Sequence, residues 1–204
     1  MGFYQELLLP WLCDKAMRNR DLLPLRRRVV GGATGRVLEL GAGSGLNFGL
    51  YGPEVTEVVA VEPSARLVEM ARARAGRPVT FVEAAAEMLP FNDLSFDTVV
   101  STWTMCSIAD IARALAEARR VLKPEGRMLF VEHGASPDAG VRRWQDLLTP
   151  AWKRIAGGCH LNRPIASLIE DAGFRLEALE KAYVPGPKAM TYMYEGVARS
   201  FGVR

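Results

Sequence analysis

The 204-residue chain is short of most of the residues that specialised proteins rely on. It has three cysteines, Cys13, Cys106 and Cys159. An odd count with no close pair excludes a disulfide framework and predicts a reducing compartment. It has two histidines, His133 and His160. Cys159 and His160 are adjacent, but no spacing among these five residues matches a zinc pattern, so no metal is expected. The net charge is +3, too small an excess to argue for a nucleic-acid partner. The densest basic run, Arg26-Arg27-Arg28 beside Arg18 and Arg20, reads as a solvated helix face. No apolar run approaches the roughly 20 residues of a membrane span. "ELLLPWL", residues 6–12, is short, contains Pro10 and lacks a basic leader and a cleavage site. A cytoplasmic protein with no integral membrane segment is expected. Residues 1–20 read as an amphipathic helix that covers the domain, with peripheral contact with a membrane surface as the alternative.

What is present is a core. Hydrophobic residues make up 49% of the chain, enough for one domain over residues 1–204. Apolar runs rich in Val and Leu recur at 36–40, 57–62, 79–84, 96–103 and 127–133. Helical patterns at 64–75 and 111–122 separate them, and the second stops at Lys123-Pro124-Glu125-Gly126. Continuous apolar strands alternating with helices predict a parallel sheet covered on both faces. After His133 the pattern changes. Residues 141–158 read as a helix pair interrupted at Pro150. Asn162-Arg163-Pro164 opens a further helix, with Asn162 as its N-cap. Residues 174–184 and 191–199 are two closing strands joined by a Pro/Gly loop. The predicted fold is α/β: a doubly wound, Rossmann-like, seven-stranded sheet, mostly parallel with an antiparallel C-terminal edge. Residues 1–30 and 134–173 form helical lids.

The most informative stretch is "RVLELGAGSGLN", residues 36–47. A third glycine for the dinucleotide fingerprint would fall at position 46, which is Leu46, so G-x-G-x-x-G fails. No Gly-Lys-Ser/Thr follows, so a phosphate loop fails too. What stands there is Glu39-Leu40-Gly41-Ala42-Gly43-Ser44-Gly45. A loop that bare suits a flat ligand lying on the backbone, where any Cβ would intrude. An acid at the end of the second strand, Glu62, follows 21 residues after Gly41; one carboxylate with two oxygens matches a vicinal diol. Ala86-Glu87-Met88-Leu89-Pro90-Phe91 and Phe96-Asp97 come next, then a helix-to-strand turn before "RMLFVEH".

In that order these motifs resemble the class I S-adenosylmethionine-dependent methyltransferases over residues 36–133. The resemblance implies S-adenosylmethionine as cofactor and S-adenosylhomocysteine as product. It implies cofactor contacts by Glu39, Gly41, Ala42, Gly43, Ser44, Gly45 and Asn47, by Glu62 with Pro63 and Ser64, by Ala86, Glu87 and Met88, and by Thr102 and Trp103. Ala85 stands where the family places an adenine-facing Asp, so the adenine must rely on backbone groups near Ala86 and Glu87 and on apolar packing such as Met88. Asp97 reads as structural.

A narrower resemblance comes from Glu132-His133, Trp144, "TPAWKRIAGGCHLNRP" and the terminal Tyr-Glu-Gly. It is to a branch holding animal thiol S-methyltransferases and bacterial phospholipid- or quinone-type methyltransferases. The animal proteins carry an N-terminal membrane anchor that nothing in this sequence matches. The implied acceptor is a small, lipophilic molecule, a thiol first, with quinone-ring and phospholipid methylation and a non-catalytic cofactor binder as alternatives. A thiol must lose its proton before transfer. His133 at the end of strand five is the first catalytic candidate and His160 the second, and each also reads as a loop-fixing histidine. Trp103, Met105, Cys106, Trp144, Trp152 and Tyr192 are the candidate apolar pocket members. No Asn-Pro-Pro-Tyr motif follows strand four, which argues against amino groups of adenine or glutamine as acceptors.

Overall fold

In a computed structural model, residues 4–200 are described. Seven strands form one sheet in the order β3-β2-β1-β4-β5-β7-β6. β1 (Gly35–Leu40), β2 (Val55–Val61), β3 (Thr80–Val82), β4 (Phe96–Thr102) and β5 (Leu122–His133) run parallel. β7 (Tyr192–Ser200) inserts antiparallel beside β5, and β6 (Phe174–Tyr183) pairs with it at the edge.

The apolar runs are continuous because both faces of the sheet are covered. Leu38, Val59, Val99, Met128 and Phe130 face one cluster, joined by Leu115 of α4 (Ile111–Val121) and Ile165 of α6 (Ile165–Asp171). Val37, Val58, Val100 and Val131 face the other, joined by Val29 of α2 (Leu23–Gly31) and Ala71 of α3 (Ala65–Arg74). Successive strand residues alternate between the two clusters, as the pleat requires. The proline–glycine stop after α4 is present: the helix ends at Val121, and the β4–β5 register shifts before it resumes at Thr98 and Arg127.

Four expectations are corrected. First, Pro150 does not divide a helix pair. α5 runs unbroken over Ala139–Ile155 with Pro150 inside it. Proline removes one backbone donor, and the Thr149 hydroxyl supplies another to that turn, donating to the Gln145 carbonyl at 2.6 Å. Second, Asn162 caps nothing. α6 starts only at Ile165, and the Asn162 amide donates instead to Asp146 on α5 at 2.7 Å. Third, the third strand is three residues long, not six. Fourth, Arg26 is not solvated: it is 6% exposed, whereas Arg27 and Arg28 face solvent.

The N-terminal segment forms α1 (Leu9–Met17), which follows a π-helical turn at Tyr4–Leu8. It lies against the body of the protein through one buried carboxylate. Asp14 accepts from the Ser44 hydroxyl at 2.5 Å and pairs with Arg74 of α3 at 2.6 Å and Arg18 at 2.8 Å. Among the described residues no helix is long and apolar enough to cross a membrane.

Candidate active site

The crevice opens at the carboxyl ends of the parallel strands, where doubly wound sheets hold their ligands. At the end of β1 the chain turns through Gly41, Gly43 and Gly45, all with positive φ (62°, 55° and 80°). Two of the three are needed against protein neighbours. A Cβ on Gly41 would run into the Thr104 side chain, and one on Gly45 would meet Phe48 at 2.7 Å. Gly43 differs: its Cβ would find only the Gly41 carbonyl, 4.0 Å away. Its bare α-carbon faces open space, a surface that a flat ligand can cover. Glu62, buried at the end of β2, holds this loop. One carboxylate oxygen accepts from the Gly43 N–H at 2.9 Å and the other from the Ser64 N–H at 3.0 Å. Each oxygen keeps a further lone pair. Burial raises the Glu62 pKa, offset in part by those backbone donors.

Beneath the loop lies a buried polar network. Glu39 accepts from the Asn47 amide at 2.8 Å and from the Tyr51 hydroxyl at 2.7 Å. Arg26 donates to Asn47 at 2.6 Å and to the Thr102 hydroxyl at 3.3 Å, and stacks 4.7 Å from the Trp103 ring centroid. Burial pushes the Glu39 carboxyl up to about 7 and the Arg26 guanidinium down to about 10. Asn47 and Thr102 therefore brace the loop from below. Ala42 and Ser44 are buried in the loop itself, Ser44 on Asp14, while Pro63 is exposed and Ser64 caps α3. Trp103 follows β4 at φ +52°, a conformation that costs a non-glycine residue about 1–2 kcal/mol. Its ring nitrogen points to the Met193 sulfur at 3.4 Å. On the third wall Ala86 is buried, Glu87 accepts from the Asp110 N–H at 3.3 Å, and Met88 sits at the rim, 70% exposed.

The other end of the crevice is built around β5. The Glu132 carboxylate accepts from the Ser101 hydroxyl at 2.8 Å and the Thr104 N–H at 3.0 Å. Among the described residues its second oxygen, and Nδ1 of His133, are buried without a partner; buried polar atoms in that state point to a ligand or water. His133 Nε2 lies 3.2 Å from the Cys159 sulfur. The hydrogen bond with Cys106, together with burial, holds the Cys159 thiol well above its ordinary range. His160 does not face His133's partners. Its backbone N–H and ring Nδ1–H both donate to the Cys106 carbonyl, at 2.8 and 3.1 Å.

Two residues given no site role by the sequence fasten the lid. Gln145, fully buried on α5, donates to the Gly134 and Ala189 carbonyls at 2.9 and 3.1 Å and accepts from the Ser136 N–H at 2.9 Å. The Arg163 guanidinium donates to the Met105 carbonyl and, at 2.6 Å, to the Ile108 carbonyl. Of the expected pocket residues, Met105 and Cys106 are buried at this end, Trp152 is half-buried, and Tyr192 packs edge-on against Tyr183 and Tyr194. Trp144 is corrected: it is 61% exposed, not buried with the other apolar candidates. It occupies an outer face of α5, one position before buried Gln145.

Comparison with known proteins adds four findings. A family model described as a methyltransferase domain matches residues 38–130. Thiol S-methyltransferase TMT1A of Homo sapiens is 34% identical over 203 residues, covering 87% of this chain and 83% of that protein. Thiol S-methyltransferase TMT1B of Rattus norvegicus is 38% identical over 151 residues, covering 71% of this chain; the match spans 62% of the rat protein's length. Among solved structures, the fold is shared with 1,6-didemethyltoxoflavin-N1-methyltransferase of Burkholderia thailandensis, solved with S-adenosylhomocysteine. The TM-score is 0.66 at 20% identity, covering 92% of this chain and 81% of that one.

Proposed function

The chain belongs to the S-adenosylmethionine-dependent methyltransferase family, and from that premise we propose that it transfers a methyl group to a small lipophilic acceptor, a thiol before others. One observation carries the reading. A bare Gly43 α-carbon and a loop-anchored Glu62 face a crevice whose far end holds two cysteines and a histidine.

The residues present fit the cofactor. Gly43 leaves room for a ligand on the backbone, and Glu62 has lone pairs left for a ribose diol. S-adenosylmethionine, when bound, supplies a methyl group already activated by its sulfonium sulfur. The chain's task is then placement. Glu39, Asn47 and Arg26 hold the loop, Asp14 clamps it from α1, and the turn at Ala86 and Glu87 forms a wall. In-line transfer needs the acceptor sulfur aligned about 3 Å from the methyl carbon. The acceptor's proton is lost at His133, the polar group at the end of β5. His160 fixes the lid to the β4–α4 loop and holds rather than reacts. The segments 4–30 and 134–173 act as covers that keep water out.

A lipid-borne acceptor is a second reading, in a cytoplasmic protein that touches membranes peripherally. Leu7, Trp11 and Leu12 near α1 and Trp144, Leu147 and Leu148 on α5 are exposed apolar residues. The Tyr4 hydroxyl donates to the Ile155 carbonyl at 2.5 Å, joining the two segments.

The test is S-adenosylhomocysteine release over a panel of alkyl and aryl thiols, phenols, a quinol analogue and phosphatidylethanolamine liposomes, with cofactor binding measured in parallel. Release with thiols supports the reading. Release with the quinol alone, or cofactor binding without release on any acceptor, refutes it.

A further inference from the structure

Three donors from three distant segments meet at the acceptor end. The sulfurs of Cys106 and Cys159 and the imidazole of His133 all lie within 4.8 Å of one another. Each is held by its own support. Cys106 follows Met105, whose carbonyl accepts from Arg163, and its own carbonyl accepts twice from His160. His133 is the last residue of β5, paired with Met193 of β7. Cys159 follows two lid glycines with φ of +59° and +85°. Gly134 brings the lid so close to β5 that a Cβ there would meet the Arg163 carbonyl at 2.5 Å. The cluster is therefore a consequence of the lid's seating and not a chance encounter of mobile side chains.

The chemistry of the set is specific. Two thiols and one imidazole are the soft and borderline donors that zinc takes, and three protein ligands leave a fourth position free for water or substrate. Two thiolates also cancel the charge of the ion, so the loaded site adds no net charge to a buried place. His133 Nδ1 has no partner among the described residues, so no acceptor competes for the ring. Cys159 is half-buried and gives the cluster an outlet, whereas Cys106 and His133 are buried.

We propose that Cys106, His133 and Cys159 bind a zinc ion whose fourth position takes the acceptor thiol as a thiolate; the acceptor half rests on the thiol-methylation reading above. On loading, the two cysteine S–H bonds break, two protons leave to solvent, and two Zn–S bonds and one Zn–N bond form. When the acceptor enters, its S–H bond breaks, its proton leaves to solvent and its sulfur replaces a zinc-bound water. No oxidant or reductant is consumed. His133 then promotes loss of the thiol proton as a ligand to the ion.

The experiment uses the full chain purified with a phosphine reductant and no added thiol, loaded with Zn2+ or Co2+. The expected result is one metal ion per chain by mass spectrometry, with visible Co2+ bands of a tetrahedral site and near-ultraviolet charge transfer from thiolate. Cys106→Ser and Cys159→Ser each lose charge-transfer intensity and bind Co2+ roughly ten-fold or more weakly, while Cys13→Ser does not. Adding butanethiol increases the charge-transfer band. Wild-type protein that takes up no metal, or that carries a Cys106–Cys159 disulfide in its place, overturns the site. So do Co2+ bands that survive in the Cys106→Ser/Cys159→Ser double variant. Metal bound with no response to butanethiol overturns the acceptor half. Thiol methylation by rigorously metal-free protein overturns the zinc proposal and leaves the proposed function standing; metal binding with no thiol turned over does the reverse.

Discussion

The two ends of the crevice are assembled differently. The glycine-loop end, where the proposed cofactor would lie, takes its loop and its clamp from residues 39–64, a single strand–loop–strand passage, and braces it with Arg26 and Asp14 from the helices before it. The acceptor end takes one donor each from the β4–α4 loop, the tip of β5 and the lid. At the first end the buried carboxylates and the Asn47 amide each have two or more partners. The second is positioned by lid fastenings, Gln145 and Arg163, and holds two buried polar atoms, on Glu132 and His133, that lack partners among the described residues. Damage at the first should therefore appear in folding and cofactor affinity, and damage at the second in turnover.

The largest effect should come from the acceptor end. His133→Asn should lower kcat with a thiol by about 10²–10⁴-fold, the usual range for losing a group that manages a proton. Cofactor affinity by calorimetry should stay close to wild type; an equal loss in both would erase the distinction between the ends. Next is the network under the loop. Arg26→Met removes the cation beside Glu39 and should destabilise by about 3 kcal/mol in denaturant titration. An Arg26→Met/Glu39→Gln double variant should recover part of that, and strict additivity would show that the two do not couple.

The same network sets a pH dependence. Burial raises the folded Glu39 carboxyl from an ordinary 4.5 to about 7, so the folded state holds a proton that the unfolded chain has released. Its contribution is complete below about pH 4.5 and is lost as pH rises through about 7. Glu62 and Glu132 shift the same way. Thermal midpoints should fall from pH 5 to 8, and Glu39→Gln should flatten that slope; an unchanged slope would place the proton elsewhere. Glu62→Ala should weaken cofactor binding by about 1.5–3 kcal/mol, the range for hydrogen bonds to a charged group, with thiol KM nearly unaffected. Smallest is Trp144→Ser on the exposed face of α5, expected within about 0.5 kcal/mol in stability. Reduced partitioning of that variant onto liposomes would support the lipid reading, and equal partitioning would count against it.

Much of the glycine-loop end was legible because its information is local. The glycines alternate, and Glu62 follows at the spacing of one strand–loop–strand passage. Their neighbours were not legible. Arg26 stands in a basic run that looks solvated, and its burial shows only in its place among Leu25, Val29 and Val30, all buried on α2. Tyr51 and Asp14 carry no spacing signal at all. At the acceptor end His133 was legible as a strand-end residue. Trp144 was misplaced because hydrophobicity does not say which face of a helix is inside.

The chain's own pattern determined the alternation of strands and helices, the glycine loop, the acid Glu62 that follows β2 and the absence of a long apolar span, since each depends on residues near one another in sequence. Only the tertiary structure decided that Cys106, His133 and Cys159 share one small volume and that α1 clamps the loop. It alone decided, too, that Pro150 sits inside a continuous helix. Those outcomes depend on where separate elements pack, and no spacing in a linear sequence records the distance between residues brought together by a sheet crossing and a folded lid.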